Sequence, residues 1–336
     1  MVSVLLVNDD GPPGPESPYV YGLFHHLTHA LGWTVKVVLP SSQKSWIGKA
    51  YHITEITKGG YYYPCHPDGK GNTSAVSRPL KEGESAEWIL LDGTPATCAN
   101  IALHNLYPGQ IDLVISGPNF GRNSSAAFTL SSGTIGAAMS SALSGIRSIA
   151  VSYGNVLRPT PTNLFEPAHV LSGKIIQNLW EHWGEDPGGL RNGEVDLYNV
   201  NIPMIQKLLD KDGLVVYWTN IWRNSYQRLF KPIPQSQPLA TKPAIPPPGP
   251  DTLAKTESTT NYGVDASSDS IGNLAFKFAP DIQQLITPAI STIPIGSDGW
   301  AIAQGAASIT ALRASFAEAD TNNASRDIAQ VRTMKL

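Results

Sequence analysis

Val4-Leu5-Leu6-Val7-Asn8-Asp9-Asp10-Gly11 is an apolar run that stops at two adjacent carboxylates. Val and Leu bounded by Gly and Pro read as a buried β-strand, here residues 3–7. Open α/β sheets bind ligands at the carboxyl ends of their strands, which is where Asp9 and Asp10 fall. Two like charges that close are costly unless a cation or a proton neutralises one. Oxygen-only ligands favour a hard ion such as Mg²⁺ or Mn²⁺. The strand end therefore reads as a metal site suited to phosphate chemistry. Taken alone, the same residues also suit a solvated turn, because Asn, Asp and Gly are all turn formers.

Outward from this strand, strand-like and helix-like segments alternate. Residues 18–31 carry Tyr21, Leu23, Phe24, Leu27 and Leu31 on one apolar stripe and read as a helix. Strands follow at Thr34 to Leu39, Trp88 to Leu91, Ile111 to Ser116, Ser148 to Ser152 and Asp196 to Ile202. Helices are expected at Pro95 to Leu106, capped by Thr94, at Thr134 to Leu143, and at Leu164 to Trp183. Strands separated by helices imply a mostly parallel, doubly wound α/β sheet with right-handed crossovers. That core spans residues 1–205, with a loop or hairpin insertion at about 47–87. Residues 206–292 read as an extension. Its aromatic stretch 214–232 suits a hairpin, and eight prolines between 232 and 250 favour extended polyproline conformation. Residues 293–336 read as a strand and then a helix returning to the core, followed by a polar tail.

Composition sets outer bounds. The chain has 336 residues, 41% of them hydrophobic, enough for a large core. The net charge of −3, from 24 basic and 27 acidic residues, excludes an electrostatic binder of nucleic-acid duplexes. Cys65 and Cys98 allow at most one bridge and make no zinc spacing. No basic segment followed by an apolar one opens the chain, and no apolar run is long enough to span a bilayer. A cytoplasmic protein without membrane contact is the expectation.

Three further segments carry chemistry-bearing residues at strand ends or helix starts. In Ser116-Gly117-Pro118-Asn119-Phe120-Gly121-Arg122-Asn123, Asn119 offers a neutral carbonyl oxygen to a hard ion, and flanking glycines admit close approach of a ligand. Ser131-Ser132-Gly133-Thr134 opens a helix, and hydroxyls with free backbone N–H groups suit an anion there. Lys44 and Ser45, after the second strand, offer a cation for phosphate and a hydroxyl for a metal. His25 and His29 share a helix face beside His26 but lack a third ligand and read as surface or half-buried side chains. There is no P-loop, no G-x-G-x-x-G and no G-x-S-x-G elbow.

Together these segments resemble the SurE survival-protein family of nucleotidases and acid phosphatases. The resemblance rests on NDDG at 8–11, KS at 44–45, DGTPATC at 92–98, SGPNFGRN at 116–123, SSGTIGAAMSSAL at 131–143, SIAVS at 148–152 and NVNIP at 199–203. It extends more loosely to SDGWAIAQGAASITAL at 297–312. The proline-rich segment after NDDG is longer than the bacterial pattern and looks more like fungal or other eukaryotic members. Lys44 stands where Arg is frequent, and Pro118 stiffens the loop before Asn119.

The resemblance implies a phosphomonoesterase with a divalent ion, Mg²⁺ or Mn²⁺, held by Asp9, Asp10, Ser45 and Asn119. It implies a phosphate pocket at Ser132, Gly133 and Thr134, with Asn8, Lys44 and Asn123 as further substrate-binding candidates. Asp9, Asp10 and Asn119 are the catalytic candidates. It implies a nucleoside monophosphate or related ester as substrate, and a homodimer or homotetramer built through C-terminal arms. The competing readings are a non-catalytic nucleotide- or metal-binding regulator on the same fold, and a sugar-nucleotide transferase.

Overall fold

Alternate residues of the first strand, β1 (Ser3–Val7), enter opposite cores. Val4 and Leu6 pack in one apolar cluster, Leu5 and Val7 in another. A strand buried on both faces needs a helical layer over each. In the computed structural model, which describes residues 1–155, 159–225, 227–233, 274–281 and 288–317, both layers are present. One consists of α1 (Val20–His25), which continues as a π-helical turn at His26–Ala30, and α5 (Phe165–Glu181). The other consists of α2 (Pro95–Ile101), with its own π turn at Ala102–Leu106, and α4 (Gly133–Leu143). The fold is a doubly wound α/β sheet. Replacing a fully buried residue such as Leu6 by Ala would cost about 2–5 kcal/mol.

The ten-stranded sheet runs β4 (Gly71–Ser74), β3 (Gly59–Pro64), β5 (Trp88–Leu91), β2 (Thr34–Pro40), β1, β6 (Leu113–Phe120), β7 (Arg147–Asn155), β8 (Leu197–Met204), β12 (Ala307–Leu312), β9 (Val216–Trp218). Neighbours from β5 through β8 are all parallel. From β1 the chain winds outward to β2 and β5, then crosses back to β6 on the other side. The winding direction therefore reverses between β1 and β6, and ligand crevices of open sheets lie at such a point.

The insertion at 47–87 contributes the antiparallel hairpin β3–β4, which widens the sheet beyond β5. The helix starts follow their caps: Thr94 Oγ1 accepts the Thr97 N–H at 3.1 Å, and Ser132 Oγ accepts the Ile135 N–H at 3.3 Å.

The structure differs from the sequence-based expectation in four places. Strand β6 does not stop at Ser116. It bulges between Ser116 and Asn119 and then re-pairs, with Asn119 opposite Ser152 and Phe120 opposite Tyr153. A short helix, α3 (Ala126–Ser131), follows it unannounced. Among the described residues of 214–232, no strand pairs with another of the same stretch. β9 joins the main sheet beside β12, while β10 (Phe230–Pro232) pairs with β11 (Phe276–Phe278) in a separate ribbon. At the C-terminus the order is helix then strand. Ser297 caps α6 (Asp298–Ala303), and Ala307–Leu312 then pairs antiparallel with β8. The polyproline reading of 234–250 and the helical reading of the tail beyond 317 lie outside the described residues.

Both cysteines are free, and burial pushes the Cys98 thiol up to about 12. Among the described residues no helix is long and apolar enough to cross a membrane.

Candidate active site

The two carboxylates at the end of β1 are almost wholly buried, Asp9 at 2% and Asp10 at 4% exposure. Asp9 Oδ1 accepts the Thr134 hydroxyl at 2.6 Å, and the Gly133 and Thr134 backbone N–H groups also face this carboxylate. Asp10 Oδ2 accepts the Phe120 N–H at 2.7 Å, and the Gln43 side chain lies beside the same carboxylate. Burial raises the pKa of both groups. At Asp10 the negative charge of Asp9 raises it further.

Asp9, Ser45, Trp46, Asn119, Asn123, Phe128, Ser131 and Ser132 line one cleft. Strand pairing explains the convergence. β1 delivers Asp9, the loop after β2 delivers Ser45 and Trp46, and the bulged end of β6 delivers Asn119. Asn119 donates from Nδ2 to the Gly121 carbonyl at 2.7 Å, which leaves the amide oxygen as its acceptor end.

The donor set suits a hard divalent cation. Asp10 Oδ1 and Ser45 Oγ are buried, and neither has a hydrogen-bond partner. A buried oxygen left unpaired costs roughly 1–3 kcal/mol, so two at one strand-end cluster call for a missing partner. No three His, Cys, Asp or Glu side chains converge on one point among the described residues. Two carboxylates with neutral oxygens instead match the sparse protein shells of Mg²⁺, which keeps several waters. The His25 and His29 rings do meet, tilted at 4.3 Å, with His66 at 5.8 Å from His25, but His29 and His66 are exposed and the half-buried His25 lies against Tyr21 of α1.

The substrate-binding candidates divide. Asn123 and Ser132 line the cleft. Gly133 and Thr134 turn their donors onto Asp9 and not toward open cleft space, because α4 starts directly behind that carboxylate. Lys44 and Asn8 are not part of the lining. Lys44 donates its backbone N–H to the Asp9 carbonyl at 2.7 Å, and its ammonium lies within electrostatic reach of Cys98. Asn8 is consumed by its own turn, where Oδ1 accepts the Gly11 N–H at 3.0 Å and Nδ2 donates to the Gly11 carbonyl at 2.8 Å.

A family model described as Survival protein SurE matches residues 4–228, about two thirds of the chain. The chain belongs to the SurE family. Among curated relatives, a 5'-nucleotidase SurE of Campylobacter concisus is 36% identical over 207 residues, covering 60% of this chain and 67% of that protein. A probable tubulin–tyrosine ligase of Saccharomyces cerevisiae is 38% identical over 249 residues, covering 68% of this chain. The chain spans only 32% of that yeast protein's length. The crystal structure of the SurE protein from Aquifex aeolicus superposes with a TM-score of 0.55 over 94% of both chains at 22% identity, a likeness of fold.

Around the SurE cleft stand polar residues whose contacts no short motif announces. Asn201 Oδ1 accepts the Asn123 N–H at 2.7 Å, Asn199 Nδ2 donates to the Asn123 carbonyl at 2.8 Å, and Asn123 Nδ2 donates to Ser152 Oγ at 2.8 Å. All four are buried, so Asn123 is held on three sides. Polar side chains at alternate positions of β8, where an interior strand expects apolar ones, were the available signal. Asp298 is the second such residue. Its fully buried carboxylate receives the backbone N–H of Ser125 at 2.7 Å.

Proposed function

We propose that this chain is a divalent-metal-dependent phosphomonoesterase that hydrolyses nucleoside monophosphates and related esters, a nucleotidase of the acid-phosphatase type. The observation that carries the reading is the pair of buried, unpartnered oxygens, Asp10 Oδ1 and Ser45 Oγ, at the strand ends that hold Asp9 and Asn119. Those four residues would hold the ion, Mg²⁺ or Mn²⁺. When bound, such an ion supplies the positive charge that draws electrons from a phosphoryl oxygen.

The remaining work falls to the chain. Asp9 stands on the cleft wall, whereas Asp10 is not part of the lining, so Asp9 is the carboxylate that orients the attacking water. Thr134, through its 2.6 Å bond, keeps Asp9 fixed for that task. The Ser132 and Ser45 hydroxyls and the Asn123 amide border the space a phosphoryl group would fill. Fixed dipoles of this kind stabilise charge that develops in a transition state without reorganising.

One further feature supports a nucleotide. Trp46 and Phe128 form an aromatic wall beside the polar end of the cleft, edge to face at 5.9 Å and 81°. A planar base would pack there while its phosphate reached Asp9. The yeast relative's name describes a protein about three times longer than the matched segment, so it weighs little on this site. The β10–β11 ribbon, with Phe230 and Phe276 more than half exposed, is the surface we assign to contact with a second copy of the chain.

The test is hydrolysis of p-nitrophenyl phosphate and a panel of nucleoside monophosphates by protein stripped with EDTA, then resupplied with Mg²⁺ or Mn²⁺. Turnover that returns with the metal is the expected result. Turnover that survives exhaustive stripping overturns the metal requirement. Nucleotide binding with no turnover favours the regulator.

A further inference from the structure

We infer that Asp298, beyond the residues matched by the family model, is a positioning residue that holds the cleft-bearing segment 121–132 in its working conformation. The inference rests on the phosphatase reading for its activity readout only. It starts from a strained residue. Ser125 has φ of +76°, a left-handed conformation that a residue with a Cβ adopts at a cost. Something must hold it there.

Asp298 does so. Its carboxylate is fully buried and receives three backbone N–H groups: Ser125 at 2.7 Å on Oδ2, and Trp222 at 2.9 Å and Gly299 at 2.7 Å on Oδ1. The loop segment 220–224, after β9, forms the other half of the clamp. The Asp298 N–H donates to the Asn220 carbonyl at 2.8 Å, and the Ala126 N–H donates to the Trp222 carbonyl at 2.8 Å. Asn224 adds two bonds, from Nδ2 to Ser125 Oγ and from the Ala127 N–H to Oδ1, both at 2.9 Å. Ser125 and the start of α3 are thus gripped from two directions by chain that lies 96 to 173 residues away in sequence.

What hangs from that grip is the cleft itself. Asn123 lies two residues before Ser125. Phe128, Ser131 and Ser132 follow along α3, and Gly133 and Thr134 then reach Asp9. A misplacement of about 1 Å at reacting groups can cost on the order of a hundredfold in rate.

Asp298→Asn tests this with little change of shape. An amide oxygen in the Oδ1 position keeps the Trp222 and Gly299 bonds, while its NH₂ group opposes the Ser125 N–H and cuts that link alone. Turnover of p-nitrophenyl phosphate with Mn²⁺ is expected to fall roughly 10- to 100-fold, mainly in kcat. Adding Ser125→Gly, which accepts a φ of +76° without strain, should restore several-fold of that loss. Asn224→Ala, at a less buried tether, should lower kcat in the same direction by less. A D298N kcat within twofold of wild type overturns the inference. So does a loss that S125G leaves untouched and that only tracks the folded fraction. Amide hydrogen exchange on the same variants reads the relationship without turnover: residues 121–127 must exchange faster in D298N while β1 and β6 do not. If the wild-type protein turns over no ester, the phosphatase reading falls, and unchanged exchange at 121–127 would still sink the role of Asp298.

Discussion

Asp10 Oδ2 and the backbone N–H of Phe120 are joined by a 2.7 Å hydrogen bond that ties the end of β1 to the re-paired end of β6. The bond uses one oxygen of a buried carboxylate and leaves the other, Oδ1, without a partner. It also sets Asn119, the residue before Phe120, against the same strand end. The bulge that sequence reading misses is therefore what brings a β6 side chain to the β1 carboxylates.

Asp10→Asn separates the two demands on this pair. Asp9 and Asp10 repel in a setting that already raises both their pKa values through burial. Removing one charge should stabilise the metal-free protein by roughly 1–3 kcal/mol in urea unfolding. The same variant should lose phosphatase activity by about a thousandfold or more, and Mn²⁺ should no longer raise its melting temperature. A variant that keeps wild-type turnover would remove Asp10 from the site.

Gly133→Ala probes the other side of Asp9. A Cβ at that position would stand 2.8 Å from Asp9 Cβ, 3.0 Å from Asp9 Oδ2 and 3.0 Å from Pro95 Cγ. Neither the carboxylate nor the proline ring has room to retreat, so stability should drop by about 1–3 kcal/mol. Turnover should fall roughly 10- to 100-fold as Asp9 shifts. Thr134→Val, which keeps volume and removes the 2.6 Å hydroxyl donor, should lower kcat in the same direction with a smaller loss of stability. Steady-state kinetics and thermal melts on both variants check the pairing.

Trp46→Ala addresses substrate choice. Trp46 has a φ of +62°, and its ring packs on Phe128 at 5.9 Å and on Phe278 at 5.3 Å. Stacking of a base on an aromatic side chain is worth about 1–3 kcal/mol. The variant should lose about tenfold or more in kcat/KM for a nucleoside monophosphate while its kcat/KM for glycerol phosphate changes little. Trp46→Phe should keep most of the preference. Equal losses on both esters would mean that the ring only packs the loop.

The parts of the site that short sequence motifs reveal are those made by neighbouring residues at strand ends. Asp9 and Asp10 follow an unmistakable interior strand, Ser45 lies in the loop past β2, and Asn119 lies in the re-paired end of β6. The sheet order then places them at one switch point, because parallel pairing puts every strand's carboxyl end on the same edge. The acceptors that reach across the fold were not legible in their roles. Asn201 meets Asn123 over 78 residues and Asp298 meets Ser125 over 173, and no local periodicity encodes such pairings. The fate of Gly133 and Thr134 shows the same limit. An N-terminal helix turn offers donors whatever its surroundings, and only the packing of α4 behind β1 decides that Asp9 receives them. The helix-then-strand order at the C-terminus was hidden for a different reason. Ile293-Pro294-Ile295 has strand-like residues but sits in loop, and the capping serine at 297 is what starts the helix.

His169 should govern acid sensitivity away from the cleft. It is buried in α5 with Nδ1 at 3.0 Å from the Tyr153 hydroxyl, which also meets Ser172 Oγ at 2.8 Å. Burial, with a smaller push from His26, lowers its pKa from an ordinary 6.5 to about 3. The folded form therefore holds a neutral imidazole where the unfolded chain takes up a proton. Between these values the unfolded state binds more protons, so stability is full above pH 6.5 and is lost as pH falls toward 3. One proton sets a slope of about 1.4 kcal/mol per pH unit. His25 and His26, also lowered by burial, add to that slope with the same sign. Glu84 and Asp186, each held down at about 2 by a bidentate arginine, contribute only further into acid, below the ordinary carboxylate values of 4.5 and 3.8. Urea unfolding of wild type and variant between pH 7 and pH 5 isolates His169 as a difference, because the raised carboxylates Asp9, Asp10 and Asp298 bend both curves alike. His169→Asn keeps a polar partner for Tyr153 and should cost about 1–3 kcal/mol at pH 7 through the cavity it leaves. From there to pH 5 its stability should fall less steeply than that of the wild type, by about one proton's slope, and parallel curves would show that His169 already titrates normally in the folded state.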